Sequence, residues 1–407
     1  MSPGARKSLA IFVTAAGVRA IFISYFLRKL PHFSEWGINE AGVIARSLLL
    51  SHSFSAPFHD AHGPSAWLAP IYPGMVSAVF VVFGIQTHAS ALAVIAVNAL
   101  CSALVGVVLY RIGAEFFSEP VGQTAGLLWA VSPAVAIMPL VNWDTCVSTL
   151  LAAFAVLLTL RSVLPGAILS RDRPHFIAGA MWGLAGLSSP ALLAPVPFLA
   201  VWSWAGSKRL KAGALFVVGA CLLILPWTLR NYLVFQKFIP VRSNFWAEMS
   251  YGNLGFQNHA TGDWMEYQRL GEVGFGAVSK QRTLQYIHDH PIDFAKHTLY
   301  RTGQFWIVPE GMWRFSFWLT LATLLGLWLI ARKNRPAALM FAIILTTYPI
   351  VYYISFVFSR YRHPVEPIMY LSLAFLLIEL GKYLRRRGAI SSRPRMTHLA
   401  RDTSSMK

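Results

Sequence analysis

The chain has 407 residues, 56% hydrophobic and only 13% charged, with a mean hydropathy of +0.52. A water-soluble domain carries about 25% charged residues, so this composition excludes an ordinary soluble protein and indicates a polytopic membrane protein. The 35 basic residues outnumber the 17 acidic ones, giving a net charge of +18. In a soluble chain that excess would point to nucleic acid, but here the cations sit mainly in short loops between apolar runs, so no nucleic-acid partner is expected.

Arg6 and Lys7 precede an apolar run at 9–27. It is too long for the core of a signal peptide and is followed by further apolar segments, so it reads as an uncleaved first span. Further spanning runs are expected at 89–110, 122–140, 145–162, 176–189, 191–206, 212–228, 312–331, 337–358 and 366–384. The run "IYPGMVSAVFVVF" at 71–83 is different: Pro70, Pro73 and Gly74 open it and Gly84 ends it. Apolar runs of about 10 to 14 residues are more often re-entrant or interfacial than spanning.

Loop charges support leaving 71–83 outside the count. With ten spans, Arg111, then Arg161, Arg171 and Arg173, then Lys208, Arg209 and Lys211, all fall on one side. Arg332, Lys333, Arg335 and the tail "KYLRRR" join them, and that side is the cytoplasm. "LSSPALL" at 187–193 reads as a hairpin break between two of the spans. The expected fold is therefore an all-α polytopic membrane protein with about ten transmembrane helices, a short re-entrant or juxtamembrane segment and a small extracytoplasmic segment. Both chain ends face inward, in the cell inner (plasma) membrane.

Four regions follow. Residues 1–228 form an N-terminal transmembrane catalytic module with a first outer loop at 28–88, and 229–311 form an extracytoplasmic segment. Residues 312–384 supply the C-terminal helices, and 385–407 a basic tail beside an anionic inner leaflet. Residues 232–310 hold seven basic and seven acidic residues, unlike the basic inner loops. Cys101, Cys146 and Cys221 each lie in an apolar run, so no disulfide is expected. No pair of broken helices recurs in matching halves, which argues against a secondary transporter.

On this topology the polar residues gather at the outer face. Glu35, Glu40 and Asp60 lie in the first outer loop, and Asp144, in "LVNWDTCVS", starts a span. Arg230 and Asn231 end another in "LPWTLRNY", Arg242 follows in "PVRSN", and Arg360, Arg362 and His363 occupy "FSRYRHPVEP". Guanidiniums and a few carboxylates at one membrane surface suit a lipid-linked phosphate held by Arg, with a carboxylate acting on a second substrate. Plainer roles stand beside this one. An acid at a helix start is usually a cap or dipole partner, and Arg at a membrane edge commonly snorkels to headgroups. Tyr72 and Trp67 fit an interfacial belt, His52, His59 and His62 lack metal-ligand spacing, and Arg19 has no assigned role. Glu40 is harder to dismiss, because Ala41, Ile44, Ala45 and Leu48 form a helical stripe beside it. A helix along the membrane surface would hold it near a positive N-terminal end, which favours the ionised form.

"NEAGVIARSLLLSHSFSAPF" followed by "GPSAWLAPIYPGMVSAVFVVFG" resembles the first-loop signature of the C-type glycosyltransferases, in the branch of aminoarabinose transferases and protein O-mannosyltransferases. "LPWTLRNYLVFQKFIPVRSN" and "RYRHPVEP" are similar to that branch's later signatures. The resemblance implies inverting sugar transfer from a polyprenyl-phosphate donor to a lipid, glycan or protein acceptor on the extracytoplasmic side, among membrane lipids. It places the catalytic acids at Glu40 and near Asp144, and phosphate recognition among Arg230, Arg242, Arg360 and Arg362. Tyr72, within the first-loop motif, is expected as a further substrate contact. No cofactor and no metal site are implied. The loop lacks the double acidic pair of eukaryotic protein mannosyltransferases and the lysine that aminoarabinose transferases carry before the Pro-rich segment, so sugar and acceptor stay open. A lipid-linked sugar flippase or transporter would share the arginines but need no base.

Overall fold

The computed structural model describes residues 1–30, 36, 40–55, 57–58, 63–164, 172–255, 262–307 and 315–391. Glu35, His59, Asp60, His62, Arg171 and the tail beyond 391 lie outside the described residues. Among the described residues the chain is helical, with one isolated bridge, Ser55 to Pro64. Its helices are α1 (Pro3–Lys29), α2 (Glu40–Leu50), α3 (Ile71–Phe83), α4 (His88–Phe116), α5 (Glu119–Val131), α6 (Pro133–Ala136) and α7 (Thr145–Val163). They continue with α8 (Arg173–Gly186), α9 (Val196–Ser207), α10 (Leu210–Phe235), α11 (Phe245–Leu254), α12 (Gly262–Asp289) and α13 (Pro291–Trp306). The last are α14 (Ser316–Lys333), α15 (Arg335–Thr347), α16 (Ile350–Ile354) and α17 (Glu366–Ser391).

Charged contacts mark one face of the bundle. Lys7 pairs with Glu119 at 2.8 Å and Arg161 with Glu115 at 2.7 Å. Asp172 meets Arg209 and Lys211, and Lys333 meets Glu379. Those pairs join the start of α1, the α4–α5 turn, the end of α7, the starts of α8 and α10 and the α14–α15 turn. The chain therefore returns to this face repeatedly, as the loop charges predict.

The hairpin read at "LSSPALL" is present. Gly179 and Gly183 of α8 meet Phe216 and Ala220 of α10, so these two helices run parallel. A Cβ on Gly179 would sit 1.9 Å from the Phe216 carbonyl, and only glycine permits that approach. His175 near the start of α8 bonds Ser203 near the end of α9 at 2.7 Å, so α8 and α9 are antiparallel.

Among the described residues six helices, Arg335–Ile354 and Ser359–Arg386 being counted as continuous, are long and apolar enough to cross a membrane. The bent pair Glu119–Val131 and Pro133–Leu140 makes seven. The other runs expected to span are α8, α9 and α14, of 14, 12 and 18 residues. Helix α3 has 13 residues, about 20 Å against a hydrocarbon core of about 30 Å. The Ile71 amide at its start donates to the Leu187 carbonyl in the α8–α9 turn. Its end, at Gly84, lies four residues before α4, which begins away from the charged face. Both ends of α3 thus adjoin helix ends that lie away from the charged face, in keeping with a juxtamembrane segment.

The 60° bend between α5 and α6 explains Arg19. Pro133 has no amide to donate, so the last turn of α5 is left with free carbonyls. The Arg19 guanidinium, fully buried, donates to the carbonyls of Ala15 (2.9 Å), Ala130 (3.2 Å) and Trp129 (3.5 Å) and to Ser102 Oγ (2.9 Å). A cation at a helix C-terminus is favoured by the dipole, so Arg19 caps a broken helix.

Two large apolar cores result, beside two small clusters around Ala15 and Val241. The larger, around Trp129, Trp182, Phe305, Phe341 and Tyr348, fills the bundle. The smaller, around Ile44, Trp67, Phe80, Val94 and Phe275, joins α2, α3 and the start of α4 to α12 at the opposite end of the bundle.

Candidate active site

Between these cores lies a cavity of about 730 Å³. Glu40 enters it from the first residue of α2, Asp144 from the residue before α7, Arg242 from the α10–α11 link, and Arg360 from the 3-10 turn Ser359–Val365. Four residues far apart in sequence thus line one space. Aromatic rings form much of the wall, including Trp67, Trp143, Tyr352, Phe356 and Tyr361.

Of the stripe, Ala41, Ile44 and Ala45 are fully buried and Leu48 partly so, which fixes α2 against the smaller core and aims Glu40 into the cavity. Glu40 Oε1 accepts from Trp67 Nε1 at 3.2 Å. Trp67 is in turn held by its neighbours. Its carbonyl accepts from Arg242 Nε at 2.9 Å, and the Ala66 amide donates to Glu272 at 2.6 Å. Glu272 also takes bonds from Ser65, Ser243 and Tyr267. The 65–67 strap is therefore a rigid support for Glu40.

Asp144 stands at the N-cap of α7 but makes no capping bond to the backbone. Its carboxylate accepts instead from Ser148 Oγ at 2.9 Å, and Ser148 meets Ser188 at 3.0 Å. Burial pushes the carboxyls of Glu40, Asp144 and Glu248 above the ordinary range, against the opposing pull of Arg242 and Arg360. For Glu40 the Trp67 bond adds to that pull, while the Glu248 charge pushes the other way. Loss of water is the largest of these influences on Glu40.

The four arginines separate cleanly. Arg360 lies over the rings of Phe358 (4.7 Å), Trp143 (4.9 Å) and Tyr361 (5.2 Å) and finds no hydrogen-bond acceptor among the described residues. The rings hold its plane and leave its donors available. Arg242 is partly engaged, with Trp67 and with Glu248 Oε1 at 3.3 Å. Arg230 does not line the cavity. It stacks on Trp227 at 4.9 Å and donates to the carbonyls of Ser65 (2.6 Å) and Phe54 (2.9 Å), stapling the first loop to α10. Arg362 is buried below the cavity in an ion pair with Glu366 at 3.0 Å, which His363 also contacts at 2.7 Å. Tyr72 is buried in the smaller core and does not reach the cavity.

Residues 69–229 match the family model described as dolichyl-phosphate-mannose-protein mannosyltransferase. A comparison with curated proteins finds no match. Among solved structures, the archaeal oligosaccharyltransferase AglB from Archaeoglobus fulgidus, in complex with an inhibitory peptide and a dolichol-phosphate, aligns with a TM-score of 0.58 at 14% identity. That alignment covers 96% of this chain and 52% of AglB. ArnT from Cupriavidus metallidurans, bound to undecaprenyl phosphate, aligns with a TM-score of 0.56 at 17% identity over 94% of this chain and 63% of ArnT. The A. fulgidus oligosaccharyltransferase in complex with Zn and sulfate aligns at 0.57 and 16%, over 94% and 50%.

The fold is that of the C-type glycosyltransferases. This agrees with the branch read from the loop motifs, although the chain spans only about half the length of the oligosaccharyltransferase and 63% of ArnT. Within this C-type glycosyltransferase fold the family match includes Tyr72 and Asp144, while Glu40, Arg242 and Arg360 lie outside it. Among the described residues no three His, Cys, Asp or Glu side chains converge as metal ligands.

Sequence reasoning missed Glu248. It lies in the first turn of α11, accepts from Asn244 Nδ2 at 2.6 Å and faces Arg242 across the same cavity. The available signal was an acid six residues after Arg242 at the start of a short helix. Nothing local says that the helix folds back toward that arginine.

Proposed function

We propose that this protein transfers a sugar from a polyprenyl-phosphate donor to an acceptor hydroxyl, with inversion, on the extracytoplasmic side of the cell inner membrane. The carrying observation is the convergence of Glu40, Asp144, Arg242 and Arg360 on one cavity from four separate elements. ArnT bound to undecaprenyl phosphate and AglB bound to dolichol-phosphate support the lipid-phosphate donor class. Ten crossings with both ends inside would put the cavity outward, because the basic turns fall on the opposite face.

In this reading Arg360 and Arg242 grip the donor phosphate, and the acceptor oxygen attacks the anomeric carbon from the face opposite that phosphate. The bond from that carbon to the phosphate oxygen breaks, and its electron pair leaves with the polyprenyl phosphate. Glu40 takes the acceptor hydroxyl proton as the new bond forms. Asp144 accepts hydrogen bonds from sugar or acceptor hydroxyls. The guanidiniums stabilise charge that develops on the phosphate, where a dry site makes them most effective.

Sidedness is tested by thiol labelling in intact cells. Met265, exposed on α12, becomes accessible to an impermeant reagent as Met265→Cys, whereas Lys208→Cys in the α9–α10 turn stays unlabelled. The reverse pattern would place the cavity toward the cytosol and overturn this reading.

A further inference from the structure

The phosphate reading leaves one group in the cavity without a task. Glu248 Oε1 lies 3.3 Å from Arg242 Nη2 and takes a 2.6 Å bond from Asn244, while its second oxygen has no hydrogen-bond partner among the described residues. Arg242 does not depend on Glu248 for its place, because its Nε is separately anchored to the Trp67 carbonyl at 2.9 Å. The carboxylate therefore occupies part of the fork that an incoming anion would use. Three carboxylates and two guanidiniums line this space, so any phosphate there also meets negative charge.

We propose that Glu248 is a displaceable internal anion, holding Arg242 while no phosphate is bound and disfavouring a doubly charged phosphate over a singly charged one. This rests on the phosphate reading above. A sugar-bearing lipid phosphate is a diester with one charge, whereas the lipid phosphate left after transfer is a monoester with up to two. Repulsion by a carboxylate that stays in the cavity after leaving Arg242 grows with the charge on its neighbour. Glu248 then weights the site toward the donor and against the spent carrier, and returns to Arg242 as that carrier leaves. It acts as a specificity-determining residue, distinct from the base.

The test compares two probes, decyl phosphate and methyl decyl phosphate, binding to the full chain in lipid nanodiscs at pH 8, where the monoester carries two charges. Glu248→Gln is expected to tighten the monoester by about tenfold and the diester by no more than about threefold, as removal of a like charge predicts. Glu248→Ala, which also removes the bond to Asn244, is expected to shift the ratio the same way. Equal changes for both probes, or weaker binding of both, would make Glu248 a structural support of Arg242 and overturn the proposal. The same probes separate this from failure of the underlying reading. If Arg242→Ala and Arg360→Ala leave both affinities unchanged, there is no phosphate clamp. If they weaken both while Glu248→Gln leaves the ratio unchanged, the role of Glu248 alone falls.

Discussion

Glu40→Gln is expected to slow sugar transfer by about two to four orders of magnitude, the contribution typical of a positioned general base, while donor binding is retained. The amide keeps the shape of the side chain and can still meet Trp67 Nε1, so α2 and the buried stripe below it should stay in place. What it removes is the basic oxygen facing the cavity. Glu35→Gln, in the same loop, is expected to leave the rate near that of the unaltered protein. The pH profile supplies a second signature. Burial raises the Glu40 carboxyl, and the base works only when ionised, so the rate falls as pH drops through a midpoint above the ordinary carboxylate range. In Glu40→Gln that limb should disappear from the residual rate. The measurement is transfer from a polyprenyl-phosphate donor by matched, folded protein in lipid. Near-normal transfer by Glu40→Gln would remove the base and favour a lipid-linked sugar flippase.

Arg360 carries the second large effect. Its guanidinium lies over three rings and has no acceptor among the described residues, so its donors are available to a ligand. Losing hydrogen bonds to a charged group costs about 1.5–3 kcal/mol, or roughly 10- to 150-fold in donor affinity or rate. Arg360→Lys should be nearly as harmful as Arg360→Ala, because the fork geometry and ring stacking are both lost. Arg362→Ala provides the contrast. That residue is buried against Glu366, and breaking a buried ion pair typically costs about 3–5 kcal/mol of stability. Its expected readout is a lower melting temperature and yield. Full activity in Arg360→Ala would make this arginine a membrane anchor and the clamp wrong.

The contrast between Arg360 and Arg362 illustrates where sequence reasoning stops. Both lie in one short motif with equal chemistry, and nothing local separates them. A 3-10 turn puts one guanidinium into the cavity and the other into the buried pair with Glu366. Arg230 is a similar case, since its carbonyl partners at Phe54 and Ser65 are more than 160 residues away in sequence. Asp144 shows a different limit. Its place before α7 was legible from the pattern, but its bond to Ser148 in place of a backbone cap was not.

What the sequence determined by itself is what depends on local composition and period. Apolar runs set the helices, loop cations marked one face, and the stripe Ala41, Ile44 and Ala45 beside Glu40 marked a buried helix that aims an acid. The run at 71–83 was set apart by Pro70, Pro73 and Gly74 at its start and by the loop charges, since α8 and α9, of 14 and 12 residues, are about as short as its 13. Only the tertiary structure decided which polar residues share a space. It bent α5 at Pro133 and called Arg19 to the broken end, tied the 65–67 strap to Glu272, and folded α11 so that Glu248 faces Arg242. Each of these outcomes turns on satisfying a polar group that packing has removed from water. The partners that do so come from distant segments, and their identity is set by how the helices pack.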